Sequence, residues 1–248
     1  MARIHSYQEG CTGMSNYSFK PKGRRSLPLE LLQFGRHLVY SEGTKTEPYY
    51  VDNIKSRIAN KYKCNQNDIE LIPVTRNKSY NTLSLVNYAI KNVKERLNKK
   101  EKIDHVWILF DKDDFEHFDE AHGKIIAINN SNDKNIEGFS YEEKTGITWH
   151  SCWSNESFEL WLCLYFNLYT SANSRKDYIT HLENLKTLKA IKFSYEKNLK
   201  SIHDILENNG GSIKNAIKYA KKLEKCNCIK TPSTGMYIFA EYFLPYMD

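Results

Sequence analysis

The sequence lacks any apolar run long enough to span a membrane: its longest, Phe158 to Tyr169, is broken by Glu159. The opening stretch MARIHSYQEGCTGM has no contiguous apolar core, so no secretory leader is expected and the expected compartment is the cytoplasm. Cysteines are few and scattered, at 11, 64, 152, 163, 226 and 228, and reduced thiols are the expectation in that compartment. Cys226 and Cys228 form a lone CxC with no histidine pair nearby, too little for a zinc site. There is no internal repeat and no low-complexity tract. These absences remove the membrane, disulfide-scaffold, zinc-module and repeat-protein classes.

What remains is a chain of 248 residues, 40% hydrophobic and 27% charged, enough to build a real core in one large domain. The net charge of +6 is unevenly spread. Residues 1–35 carry five Lys/Arg against two acids, residues 36–169 carry 18 against 20, and residues 170–248 carry 13 against 8. A slightly acidic centre between basic ends suits a cation-binding core with flanks that hold a polyanion, although a solubility pattern looks the same.

Residues 1–35, including SFKPKGRRS, lack periodicity and read as a flexible basic arm. From Arg36 strands and helices alternate. Strands are expected at Arg36–Ser41, Asp68–Thr75, His105–Phe110 and Ile147–Trp153, with helices at Pro48–Tyr62, Thr82–Asn98 and Glu116–Asn129. Continuous apolar strands separated by helices indicate a mostly parallel sheet covered on both faces. From Ser157 onward the chain reads as helical, with a break at Gly210-Gly211. The expected fold is α/β over residues 36–169, with an α-helical C-terminal part of the same domain, 170–248, packed on it.

In such sheets functional groups gather at the carboxyl ends of the strands. Glu42 follows the first strand, and Asp111, Asp113 and Asp114 follow the third, in HVWILFDKDDF. Neighbouring strands lie about 4.8 Å apart, so acids at two adjacent ends are expected within about 10 Å of one another. Hard Mg²⁺ takes oxygen ligands, typically one or two carboxylates with water and phosphate. Gly43 leaves room where a phosphate backbone would approach. Each cluster alone also fits a structural role: Glu42 and Glu47 complement the positive end of the helix at Pro48, and Asp113 or Asp114 caps the next helix. Glu159 lies in a helix that is apolar on every face from Phe158 on, so it needs a partner. Asn155 is expected four residues earlier on the same face.

Together these residues resemble the RloB-like family, which is assigned to the Toprim group and includes the second protein of the AbiL abortive-infection pair. EGxKTEPxY matches Glu42 to Tyr50, FDxDD matches Phe110 to Asp114, and SNxxFELWLxxxF matches Ser154 to Phe166. YxK matches Tyr195-Glu196-Lys197 and PST matches Pro232-Ser233-Thr234. The resemblance implies a Toprim-like sheet, with Glu42 as general acid/base and Asp111 and Asp113 as ligands of Mg²⁺ (or Mn²⁺). Asp114 is a further candidate ligand, and Glu47 and Glu159 are further candidate catalytic acids. It also implies a phage-defence nuclease encoded beside an ABC-type ATPase. The alternative is a catalytically inactive Toprim-like module that binds or regulates that ATPase. The stretch NNSNDKNIEGFSYEEKTG, 129–146, departs from compact members as an insertion. Lys45 and Lys197 are candidate phosphate contacts. A second set lies on the helix from Ser212 to Lys225, where Lys214, Lys218, Lys221, Lys222 and Lys225 form one stripe about 100° wide. Ile213, Ala216, Ile217, Ala220 and Leu223 take the opposite side and are expected to pack on the domain.

Overall fold

The computed structural model describes residues 34–62, 68–72, 81–112, 117–131, 135–225 and 232–247. Residues 1–33 of the expected basic arm lie outside the described residues, as do Asp113 and Asp114. The arm as drawn to residue 35 is too long, because Phe34 is buried against Phe243 and Tyr246.

Three apolar strands, β1 (His37–Ser41), β2 (Ile69–Ile72) and β3 (His105–Asp111), pair in parallel with β1 in the middle. A longer strand, Thr148–Asn155, pairs in parallel with β3, from His105 opposite Thr148 to Asp111 opposite Ser154. The two-residue strand Ser233–Thr234 adds an antiparallel edge beyond it. The fold is therefore α/β, with a five-stranded, mostly parallel sheet flanked by helices and a helical C-terminal part.

Side chains alternate across the sheet because the strand period is two. Leu38, Tyr40, Val106, Ile108 and Phe110 point to one face, where the helices Thr82–Asn98 and Phe118–Asn130 cover them. The helix at Thr82 starts where the sequence predicts, since the Asn81 side chain accepts from the Ser84 amide as an N-cap. The 129–146 insertion forms a small hairpin, Asn135–Ile136 with Phe139–Ser140, and a short helix, Tyr141–Thr145, opened by a Ser140/Glu143 capping box. Phe139 seals it against Trp149.

The opposite face carries His37, His105, Trp107 and His150. The helix Met236–Met247 covers them through Phe239, Tyr242 and Phe243. The polar ring atoms of His37, Trp107 and His105 are all partnered. Trp107 Nε1 donates to His37 Nδ1 at 3.0 Å, and His37 Nε2 meets the Phe34 carbonyl at 2.6 Å. His105 lies 3.2 Å from His150 and 3.0 Å from the Tyr242 hydroxyl.

The helix Thr46–Tyr62 packs beside Ile202–Asn208, where Asn53 and Arg57 both bond Asp204. Behind them a fully buried chain runs from Tyr50 to Tyr165 (2.7 Å) and on to His203 (2.8 Å). Among the described residues no helix is long and apolar enough to cross a membrane. Cys152 and Cys163 are buried free thiols.

Candidate functional site

Three hydrogen bonds, two of them between backbone groups, fix the carboxyl end of the sheet. The Glu42 amide donates to the Leu109 carbonyl at 2.9 Å, carrying the pairing of β1 and β3 past the last strand residue. The Ser41 hydroxyl donates to the Gly43 carbonyl at 2.7 Å and turns the chain into the helix that begins at Thr46. The Lys112 amide donates to the Ser154 carbonyl at 2.8 Å and holds the end of β3 to its neighbour. Glu42 and Asp111 thus leave adjacent parallel strands on the same side of the fold, as expected from their position after buried strands.

They open onto one cleft of about 480 Å³, with Glu42, Glu47, Asp111 and Glu159 among its walls and Lys45, Arg175 and Lys197 as its cations. Glu42 accepts a long hydrogen bond, 3.4 Å, from the Thr82 hydroxyl at the start of the neighbouring helix. Glu159 is only 2% exposed, in a five-residue helix, Glu159–Cys163, that is buried throughout. It is paired as a buried carboxylate requires: Arg175 Nε approaches Oε2 at 3.3 Å and the Tyr195 hydroxyl donates to Oε1 at 2.9 Å. The same guanidinium reaches Asp111 Oδ2 at 2.6 Å through Nη2. Arg175 therefore bridges the end of β3 to the buried helix. Tyr195, of the YxK element, also meets the Thr46 hydroxyl at 3.2 Å. Burial pushes the Tyr195 phenol well up from its ordinary value, and the Glu159 charge adds to this.

Glu47 is 7% exposed, and burial raises its carboxyl above the usual range. Its own backbone amide lowers it, Glu159 raises it further, and Arg175 and Lys197 oppose that rise. The carboxylate folds over Gly43 so closely that a Cβ there would sit 2.0 Å from Oε2. The space that Gly43 leaves is thus taken by Glu47 rather than held open for a phosphate backbone.

The expected residues divide as follows. Glu42, Glu47, Asp111 and Glu159 share the cleft, with Lys45 exposed at its rim and Lys197 in its wall. Asn155 does not share a helix face with Glu159: it is the last residue of the strand Thr148–Asn155, because its pairing with Ser233 keeps it extended. On the helix Ile213–Lys225 the five apolar residues are all buried, and Lys214, Lys218, Lys222 and Lys225 are exposed. Lys221 leaves the open stripe, since it lies 2.5 Å from Glu241 and over the Tyr237 ring. The lysine stripe is not part of the cleft wall.

Arg175, Thr46 and the bond made by Tyr195 were not foreseen as parts of the site. The Ser174/Asp177 capping box marks Arg175 as the first residue of the helix Arg175–Asn184, yet nothing local ties it to an acid 64 residues earlier. As a cation site, the cleft offers carboxylate oxygens, the donor chemistry that hard Mg²⁺ or Mn²⁺ prefers. Among the described residues, however, no group of three or more His, Cys, Asp or Glu is arranged to hold a metal ion. The described carboxylates fit the cation in kind but do not complete its ligand set, and Arg175 already neutralises two of them.

No curated protein and no solved structure matches the chain. The family model described as RloB-like protein matches residues 37–242, from the first residue of β1 into the last helix, and the chain belongs to the RloB-like family.

Proposed function

We propose that the chain is a Mg²⁺- or Mn²⁺-dependent nuclease of Toprim type, the effector of an anti-phage abortive-infection system that works with an ABC-type ATPase. The observation that carries the nuclease reading is the cleft at the carboxyl ends of adjacent parallel strands, where Glu42 and Asp111 meet Lys45, Lys197 and Arg175. A phosphodiester undergoing hydrolysis gathers negative charge, and cations at the rim hold it while acids below manage protons. A bound divalent ion supplies charge neutralisation at the scissile phosphate. Asp111, with Glu42, would hold that ion; Asp113 and Asp114 follow in the same FDKDD stretch of the sequence. Glu42, oriented by Thr82, serves as ligand or as general base, and Lys45 and Lys197 bind the flanking phosphates. The defence role and the ATPase rest on the family resemblance.

Purified protein is incubated with RNA (tRNA included), single-stranded DNA and duplex DNA, with Mg²⁺ or chelator, alone and with the companion ATPase. Cleavage is expected with Mg²⁺ only, and Asp111→Asn and Glu42→Gln are expected to abolish it while leaving the fold intact. Cleavage that survives chelation, or survives both substitutions, overturns the assignment. A second reading, an inactive Toprim-like subunit that binds or regulates the ATPase, is favoured by one observation: Arg175 supplies the positive charge that Asp111 and Glu159 need without any ion. Stable co-elution with the ATPase and no cleavage of any substrate would select it.

A further inference from the structure

Arg175 joins two of the acids that line the cleft. Its guanidinium spans Asp111 at 2.6 Å and Glu159 at 3.3 Å, yet its side chain is 39% exposed while that of Glu159 is 3% and that of Asp111 13%. The two acids are therefore held in place by a cation that itself reaches solvent. Glu159 has a second support, the Tyr195 hydroxyl at 2.9 Å, which is tied in turn to Thr46. The helix that bears Arg175 is anchored separately, through the Ser174/Asp177 capping box and the buried Tyr178 and Leu182. The anchoring of that helix does not depend on the Arg175 guanidinium.

We infer that Arg175 is a built-in competitor for the cation site: it occupies Asp111 in the absence of a divalent ion and gives it up when one binds, so that it sets the affinity of the site. This rests on the reading of Asp111 as a cation ligand. The geometry supports competition rather than cooperation. The guanidinium takes an Asp111 oxygen that a metal would need, and a +1 charge at hydrogen-bond distance from a ligand repels a +2 ion. Once displaced, Arg175 retains Glu159 and remains in the cleft beside Lys197. The chemical consequence is a weak, easily reversed site at low free cation, with filling that requires either a high concentration or a second anion, such as a phosphate, to draw the guanidinium away.

The test is a titration of the full chain with Mn²⁺, followed by its paramagnetic effect on solvent water and by calorimetry. The proteins are the wild type, Arg175→Gln, Arg175→Lys and Asp111→Asn. Arg175→Gln is expected to bind Mn²⁺ about tenfold more tightly than wild type, the order expected when one nearby charge is removed at a half-wet site. Arg175→Lys, which keeps the charge but loses the fork, is expected to fall between the two. Without metal, Arg175→Gln melts lower than wild type because Glu159 loses a partner, and Mn²⁺ raises its melting temperature by more. Arg175→Gln affinity equal to or weaker than wild type, with Asp111→Asn weakened, overturns the competitor role while leaving the cation site standing. Asp111→Asn affinity equal to wild type overturns the site itself. Binding by neither wild type nor Arg175→Gln overturns both, and if Arg175→Gln fails to fold, the same ranking is read from Arg175→Lys against wild type.

Discussion

Acidification from pH 7 to pH 5 will destabilise this protein through the histidine row under the helix Met236–Met247, and replacing His37 will remove much of that effect. His37 is fully buried, and burial first, then the nearby His105, hold its pKa down to about 3; His150 is likewise lowered to about 3 by burial and by His105. The Phe34 carbonyl and, less, the Asp104 carboxylate act the other way and are outweighed. The hydrogen bonds give an independent reason. His37 Nδ1 accepts from Trp107 Nε1–H, so its proton sits on Nε2, facing the Phe34 carbonyl. A second proton would place N–H against N–H. For a histidine lowered from about 6.5 to about 3, the stability is present above pH 6.5 and is lost as pH falls from there toward 3. At pH 5 that amounts to about 2 kcal/mol for one such histidine relative to pH 7. His37 and His150 are coupled through His105, so the row as a whole contributes between about 2 and 4 kcal/mol over this interval. Urea unfolding at pH 7 and pH 5 measures it. His37→Gln is expected to be less stable at pH 7, for want of a well-fitted ring, but to lose about 2 kcal/mol less between the two pH values. Equal pH dependence in His37→Gln and wild type would refute the reasoning, because His203, lowered to about 4 at a separate place, titrates in both.

Two other outcomes follow from the site and its surroundings. Gly43→Ala is expected to cost about 1 kcal/mol in a thermal melt, since its Cβ forces the Glu47 carboxylate out of its rotamer, and adding Glu47→Ala is expected to recover most of that loss; an additive double mutant would show that the two do not touch. Lys218→Glu with Lys222→Glu is expected to weaken nucleic-acid binding of any sequence and to lower its salt slope by about one unit per lost phosphate contact, while unchanged affinity and slope in a filter-binding series would assign that helix face to solvent or to a partner.

Much of this architecture was legible in the sequence because its signals are local. The helix Thr82–Asn98 has both an apolar stripe and an Asn81 cap, and its ends agree with the expectation. The strand at His105 was visible as an unbroken apolar run, but it extends one residue further, to Asp111, because pairing with Ser154 keeps that acid extended. The edge strand Ser233–Thr234 has no periodicity to read; the Thr234 hydroxyl makes it, bonding Ser154 Oγ and the Trp153 carbonyl, both at 2.9 Å. Within the cleft, Glu42 and Asp111 were legible because each stands at the carboxyl end of a buried apolar run. Glu159 was legible because a carboxylate in an apolar helix demands a partner. The partner itself, Arg175, was not, since one arginine among 36 Lys/Arg is singled out only by a contact across 64 positions.

The late edge strand also orders events during synthesis. Ser154 and Thr234, which close the sheet, are 80 residues apart, whereas β1, β3 and their covering helices on the Leu38/Val106 face are all made before Ser154. A growing chain can therefore assemble that half of the core early. The face bearing His37, Trp107 and His150 lacks the cover of Phe239, Tyr242 and Phe243 until these have left the ribosome. For the interval between, the nascent protein presents a stacked aromatic surface to whatever chaperone or neighbouring chain is at hand, and translation speed through residues 155–235 sets how long that exposure lasts.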